Sequence, residues 1–145
     1  MSTQTIPALV LRRTYDAPRE LVYQAWTDPQ LAKEFLCPEE VTIPDAAFDV
    51  RVGGAYHITM NTKNGPMTVR GVYREVRKAE RLVMTWQWDE DDPKDMHETL
   101  LTIEFNVHGS GTELILTHEN LASIESRDNH THGWNSILDK LASLK

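Results

Sequence analysis

The chain has 145 residues, 40% of them hydrophobic, and a formal net charge of -7 at pH 7. This length and apolar content suit one ordinary domain with a core of its own, so we expect a single domain over residues 1–145. The acidic balance argues against a nucleic-acid partner. The lack of a run of roughly 18 apolar residues, and of a signal peptide, predicts a cytoplasmic protein with no membrane span.

The chain begins with a predicted strand and two short helices. Residues 8–15 alternate in polarity and predict the first strand, with Arg13 on its apolar side and so in need of a partner or a route to water. Pro18 suits the first turn of a helix, which we expect to end near Trp26. Asp28 is a candidate N-cap with a proline directly after it, so a second short helix should follow.

A mostly period-two pattern runs from Pro44 to residue 118 and predicts antiparallel strands. We expect strands at about 41–50, 55–62, 67–78, 80–88, 97–107 and 112–118. Asn64-Gly65 favours a hairpin, because both central residues of that turn take positive φ. Gly53-Gly54 precedes a strand rather than a helix, so these glycines should turn the chain and not bind phosphate.

The chain ends in a predicted amphipathic helix of about 20 residues. Its apolar positions fall on one face: Trp134, Ile137, Leu138, Leu141 and Leu144. Gly133 inside this helix costs on the order of 1 kcal/mol relative to alanine, so we expect it to let another backbone or a ligand come close. This long helix, a sheet of about six or seven strands and two short helices after strand one define an α+β arrangement, in which the sheet curls around the helix.

Five stretches in series carry a family resemblance. They are RTYDAPRELVYQAWTDPQLAKEF at 13–35, DVRVGGAY at 49–56, GVYREVRKAERLVMTW at 71–86, GTELILTHENL at 111–121 and HGWNSILDKL at 132–141. The chain is similar to the START-like superfamily, also called SRPBCC or helix-grip proteins. Within it, the chain resembles the family named after the C-terminal domain of the activator of heat-shock protein 90 ATPase. The resemblance implies a curved antiparallel sheet around the C-terminal helix, with a cavity between them.

If that cavity exists, the inward faces of the strands and the apolar face of the helix line it. The predicted ligand-binding residues are Phe35, Tyr56, Ile58, Met60, Tyr73, Met84, Trp86, Trp88, Leu101, Ile103, His118, Trp134, Ile137, Leu138 and Leu141. Ligand pockets are largely apolar with a few polar groups for orientation, which fits this set. The alternative is that the same residues simply fill the core, since periodicity would place them inward in either case.

Two polar residues are candidate catalytic groups. His118 lies in phase with Leu114 and Leu116, so it either donates or accepts inside the cavity or lies partly exposed at a strand end. Glu75 is the other candidate. For Glu75, as for Arg13, a structural ion pair is favoured over catalysis.

The positions of the candidate residues argue against several other kinds of functional site. His130 and His132 lie two apart on a helix, about 200° around its axis, so they cannot easily share an ion, and no metal or other cofactor is expected. The acidic run that starts at Asp89 lacks the ligand pattern of a calcium loop and should be a solvated hairpin tip. Cys37, the only cysteine, has no neighbouring histidine to activate it and is expected to fill space.

Three functions follow from the residues and the resemblance. The favoured one is a non-enzymatic protein, a monomer or homodimer, that holds a small hydrophobic ligand between sheet and helix. The second is an enzyme of the cyclase or dehydratase kind, with proton transfer by His118 or Glu75. The third is a co-chaperone that stimulates the heat-shock protein 90 ATPase. It is least favoured, because the eukaryotic activators carry an additional N-terminal domain for which 145 residues leave no space.

Overall fold

A computed structural model describes residues 7–37, 41–63, 65–89, 98–121 and 123–143. The strands are β1 (Leu9–Tyr15), β2 (Thr42–Phe48), β3 (Ala55–Thr62), β4 (Gly65–Arg77), β5 (Arg81–Trp88), β6 (Thr99–His108) and β7 (Gly111–Glu119). The helices are α1 (Arg19–Thr27), α2 (Pro29–Phe35) and α3 (Ile124–Leu141). Within these ranges, no helix has the length and apolar character needed to cross a membrane.

The strands form one seven-stranded sheet in the order β1-β7-β6-β5-β4-β3-β2, and every neighbouring pair is antiparallel. Strands β2 to β7 follow one another in chain order, whereas β1 pairs with the last strand. Helices α1 and α2 therefore carry the chain from one edge of the sheet to the other. The predicted α+β helix-grip fold, with a sheet, a long C-terminal helix and two short helices after strand one, is confirmed.

Side-chain caps mark the starts of α2, where the sequence predicts one at Asp28, and of α3. The Asp28 carboxylate accepts a hydrogen bond from the backbone N–H of Gln30 at 2.9 Å, and Pro29 occupies the first turn of α2. At the start of α3, the Ser123 hydroxyl accepts from the N–H of Ser126 at 3.0 Å. Such caps satisfy backbone donors that the first turn of a helix leaves free.

The glycine pair between β2 and β3 turns the chain, as predicted. Gly53 has a φ of +84°, which other residues adopt only with strain. A Cβ on Gly54 would lie 2.0 Å from the Asp49 carbonyl oxygen, so only glycine fits there. Gly65, with a φ of +109°, opens β4. Its hairpin partner Asn64, and the acidic run after Asp89, lie outside the described residues.

Strand β1 holds the C-terminal half of α3 in place. The Tyr15 hydroxyl donates to the Leu138 carbonyl oxygen at 2.7 Å, and burial raises the pKa of this tyrosine. The Arg13 guanidinium donates to the Asn135 side-chain oxygen at 2.6 Å and forms an ion pair with Asp139 at 3.5 Å. Arg13 thus has the structural partner that its position on the inward face requires.

Candidate functional site

A cavity of about 440 Å³ lies between the inner faces of β3, β4 and β5 and the N-terminal half of α3. Its described lining, which we call the open region, is Met60, Met67, Trp86, Trp88, Ser123, Glu125, Ser126, Asn129, His130, Gly133, Trp134 and Ile137. The volume falls in the range of about 300 to 1,000 Å³ that is typical of small-molecule sites. The fold therefore leaves room for a ligand at one end of α3.

The strand side of the open region is apolar and aromatic. Met60 and Met67 are cross-strand partners on β3 and β4, so their side chains share a face. Trp86 and Trp88 are two apart on β5, and alternate residues of a strand project from the same face of the sheet. Their ring centroids are 5.8 Å apart at an interplanar angle of 88°. A ligand would meet two perpendicular indoles and two polarizable thioethers.

The helix side of the open region changes character along α3. Residues three or four apart lie on one helical face, which connects Ser126 through His130 and Gly133 to Ile137. This face is polar in the first turns and apolar further on. Gly133 contributes no side chain to the lining. Its predicted role, to let a ligand come close, is compatible with this position and stays a prediction.

A hydrogen bond connects the two sides of the open region. The Trp88 indole N–H donates to Nε2 of His130 at 3.2 Å. Nδ1 of His130 lies 2.8 Å from the Ser126 carbonyl oxygen, so this nitrogen carries the proton and donates to it. The imidazole is thus neutral, with a contact at each nitrogen. His132 lies elsewhere on α3, in a groove with Asn135, which is why the two histidines cannot share an ion.

His118 is fully buried behind the open region, so the alternative of a partly exposed strand end is wrong. Its Nδ1 accepts from the Trp134 indole N–H at 3.1 Å, and its Nε2 lies 2.7 Å from the Thr99 hydroxyl. Thr99 in turn donates to the Trp86 carbonyl at 2.8 Å, so Nε2 of His118 must be the donor to Thr99. Burial, and secondarily the nearby His130, lower the pKa of His118 from 6.5 to about 3.

These contacts define what His118 can do. It is neutral at physiological pH, both ring nitrogens are occupied, and it does not line the cavity. A general acid or base must reach the substrate and exchange a proton near the working pH. His118 therefore positions Trp134 rather than serving as a proton-transfer group.

Glu75 also lies away from the cavity. Its carboxylate forms ion pairs with Arg77 at 2.6 Å and Arg81 at 3.4 Å, and Arg81 also approaches Glu104 at 3.8 Å. These side chains are partly exposed. The structure thus gives Glu75 the structural ion pair that the sequence favours over catalysis.

The remaining predicted ligand-binding residues fill space. We call the packed region the fully enclosed set Tyr56, Ile58, Tyr73, Met84, Leu101, Ile103, Leu138 and Leu141. The residual space beside Tyr56, Met84 and Leu101 is about 10 Å³, no more than one water could occupy. Phe35 is half-buried against this core. Of the predicted set, only Met60, Trp86, Trp88, Trp134 and Ile137 line the cavity. Ligand contact by any of them stays a prediction.

The lining residues that the sequence reasoning missed are Met67, Ser123, Glu125, Ser126, Asn129 and His130. Met67 could have been found as the cross-strand partner of Met60. The others continue the face of Trp134 and Ile137 backwards by one to about three turns. They were missed because only apolar members of that face were considered, although pockets combine an apolar body with a few polar groups.

Comparisons with known proteins agree with this architecture. Residues 16–145 match the profile of the family described as Activator of Hsp90 ATPase homolog 1-like protein. The crystal structure of protein CV1439 from Chromobacterium violaceum is 28% identical, with a TM-score of 0.85 and 94% of each chain covered. The AHSA1 protein from Silicibacter pomeroyi is 25% identical, with a TM-score of 0.80, covering 94% of this chain and 96% of that one. No curated protein matches the chain.

Proposed function

The chain belongs to the family of Activator of Hsp90 ATPase homolog 1-like proteins, and we propose that it binds a small hydrophobic molecule in the open region. Family membership supports the fold, but one fold serves many functions, so the function is argued from the site. The observation that carries the proposal is the cavity of about 440 Å³ with indole and thioether groups on one side and a short polar strip on the other.

Size and lining set the expected affinity. A compact aromatic molecule that buries about 200 Å² of apolar surface gains roughly 5 kcal/mol from that burial. Losses of translational and rotational freedom offset part of this gain, so a bicyclic probe should bind with a Kd on the order of 1 mM. The natural ligand, with more contacts, should bind more tightly.

The indoles of the site are held before a ligand arrives. Trp88 donates to His130, and Trp134 donates to His118. Trp86 packs against Trp134 with ring centroids 4.9 Å apart. Side chains that are already fixed lose little rotamer entropy on binding, which favours affinity. These contacts support a preformed site.

The same geometry does not favour an enzymatic function. The candidate groups named from the sequence, His118 and Glu75, lie away from the cavity and are engaged in buried or ion-pair contacts. The co-chaperone function stays the least favoured expectation. A heat-shock protein 90 ATPase assay with and without this protein tests it, and we expect no stimulation.

The binding proposal is tested by titrating 1-naphthylmethanol into three proteins by isothermal calorimetry. The wild type and Gly133→Ala should bind, because a single methyl leaves most of the cavity open. Gly133→Leu should bind at least about tenfold more weakly, because its side chain occupies the space the probe needs. Both variants replace glycine by a better helix former, so the alanine variant controls for helix stability.

Two results would contradict the proposal. One is equal affinity of the leucine variant and the wild type, which would place the probe elsewhere. The other is no binding to the wild type at probe concentrations well above the expected Kd. Thermal melting of all three proteins shows whether any loss comes from unfolding.

A further inference from the structure

The electrostatics of the open region select the charge of its ligand. Within the described lining, Glu125 and His130 are the ionisable side chains. Both nitrogens of His130 already have partners, in Trp88 and Ser126, so the neutral ring has no N–H left for a ligand anion. The described lining therefore carries one negative charge and no positive one.

Two arginines of the adjacent elements are directed to other partners. Arg127 on α3 donates to the Pro7 carbonyl oxygen at 3.2 Å and lies 3.9 Å from Asp128. Arg70 on β4 donates to the Asp89 carboxylate at 2.6 Å. Lys63, at the exposed tip of the β3–β4 hairpin, is not part of the lining. Among the described residues that line the open region, an anionic ligand would thus find no counter-charge.

The positive end of the α3 dipole is the opposing effect, because the first turn of α3 borders the cavity. A helix N-terminus favours an anion by roughly 0.3 to 1 kcal/mol at an exposed site. In α3 the Ser123 hydroxyl already accepts from the Ser126 N–H, and Glu125 lies in that first turn. Glu125 thus already supplies a negative charge in this turn, which offsets the attraction of the helix dipole for a ligand anion.

Aromatic faces add a second preference for positive charge. A cation over an indole face within about 6 Å gains roughly 0.5 to 2 kcal/mol, depending on how far it is desolvated. Trp86 and Trp88 both line the cavity, and the Ser126 hydroxyl, the Asn129 amide oxygen and the Glu125 carboxylate provide acceptors on the opposite side. The net charge of -7 on the whole chain adds a field of the same sign.

We propose that the ligand of the open region is an aromatic molecule with a protonated amine, and that Glu125 sets this charge preference. The inference rests on the proposed binding function. The aromatic body lies against the indoles and thioethers of the strands. The ammonium group lies beside the polar residues in the first turns of α3. There it keeps partial contact with water and has the Glu125 carboxylate as its counter-charge, so it is neither fully desolvated nor unpaired.

Three probes of similar shape test the inference by isothermal calorimetry: 1-naphthylmethylammonium, 1-naphthylmethanol and 1-naphthoate. We expect the ammonium probe to bind about three- to tenfold more tightly than the carboxylate, with the alcohol between them. In Glu125→Gln the ratio of the ammonium and carboxylate affinities should fall to about twofold or less. Glu80→Gln, at the opposite end of β5 from Trp88, removes the same charge far from the cavity and should keep the wild-type ratio.

The outcomes separate this inference from the binding proposal. If the three probes bind equally, or the carboxylate binds most tightly, the charge preference is wrong and hydrophobic binding stands. If the ratio is unchanged in Glu125→Gln, the preference does not come from Glu125 and the inference fails. If none of the probes binds the wild type, the binding proposal fails and the inference with it.

Discussion

The open region and the packed region lie side by side between the same sheet and the same helix, yet only one of them holds a cavity. Both are bordered by inward-facing residues of β3 and β5, Met60, Trp86 and Trp88 in the open region and Tyr56, Ile58 and Met84 in the packed one. The difference lies on α3. Its last turns present Leu138 and Leu141, both fully buried, whereas its first turns and its middle present Ser126, His130 and Gly133.

The comparison shows that periodicity decides which way a residue points, while side-chain size and polarity decide whether the space is filled. Leu138 and Leu141 are fully buried and fill the space under the helix. A glycine, a serine and a hydrogen-bonded histidine leave it open. Under the binding proposal, variants at these few positions of α3 should therefore change ligand affinity more than stability.

Truncation in the two regions should give the largest contrast. Leu138→Ala should lower the free energy of unfolding by about 2 to 5 kcal/mol, because it removes a fully buried side chain and leaves a void. Met67→Ala, next to space that is already open, should cost about 1 kcal/mol or less. Urea unfolding measures both. Similar losses at the two positions would mean that the open region is packed as well.

The free energy of unfolding should depend on pH through His118, which lies behind the open region. Its folded pKa of about 3 lies below the ordinary 6.5, so between these values the unfolded state binds more protons. The contribution of His118 is complete above pH 6.5 and is lost as the pH falls toward 3. From pH 7.5 to pH 5 this loss should be about 2 kcal/mol.

Urea unfolding of the wild type and His118→Gln at both pH values checks the effect. Glutamine does not titrate, so the variant should lose less stability on acidification by about that amount. The variant should also be less stable at pH 7.5, since Thr99 and Trp134 lose their partner. Identical pH dependence of the two proteins would contradict the burial and neutral state of His118.

The sequence predicts the fold of both regions but not which of them holds the cavity. Alternation, Pro29 after Asp28 and the glycine turns predicted the elements of the sheet and helices, because backbone geometry follows local chemistry. The same alternation placed Tyr56 and Leu101 inward correctly. It could not separate them from Met60 and Trp86, because the volume left beside α3 depends on register and rotamers across distant segments.

Removing the hydrogen bond between Trp88 and His130 across the open region should have a smaller effect on stability. Trp88→Phe removes the donor to His130 and should cost about 1 kcal/mol. A double-mutant cycle with His130→Phe should give a coupling energy of about 0.5 to 1.5 kcal/mol, measured by urea unfolding. No coupling would mean that the indole and imidazole contribute independently and that the two sides of the cavity are not joined.

The smallest effect should come from outside both regions. Glu75→Gln weakens partly exposed ion pairs with Arg77 and Arg81, so stability should change by about 1 kcal/mol or less. Affinity for 1-naphthylmethanol should be unchanged, because Glu75 does not line the cavity. A clear loss of 1-naphthylmethanol binding in this variant would make Glu75 a candidate functional residue again.

Native mass spectrometry of gently purified protein, compared with the same sample after denaturation, tests whether the open region holds a ligand. We expect the wild type to carry a stoichiometric mass excess that disappears on unfolding, or to acquire one after exposure to 1-naphthylmethylamine, and Gly133→Leu to carry none. A bare polypeptide mass for the wild type, before and after that exposure, would contradict a ligand site in the open region.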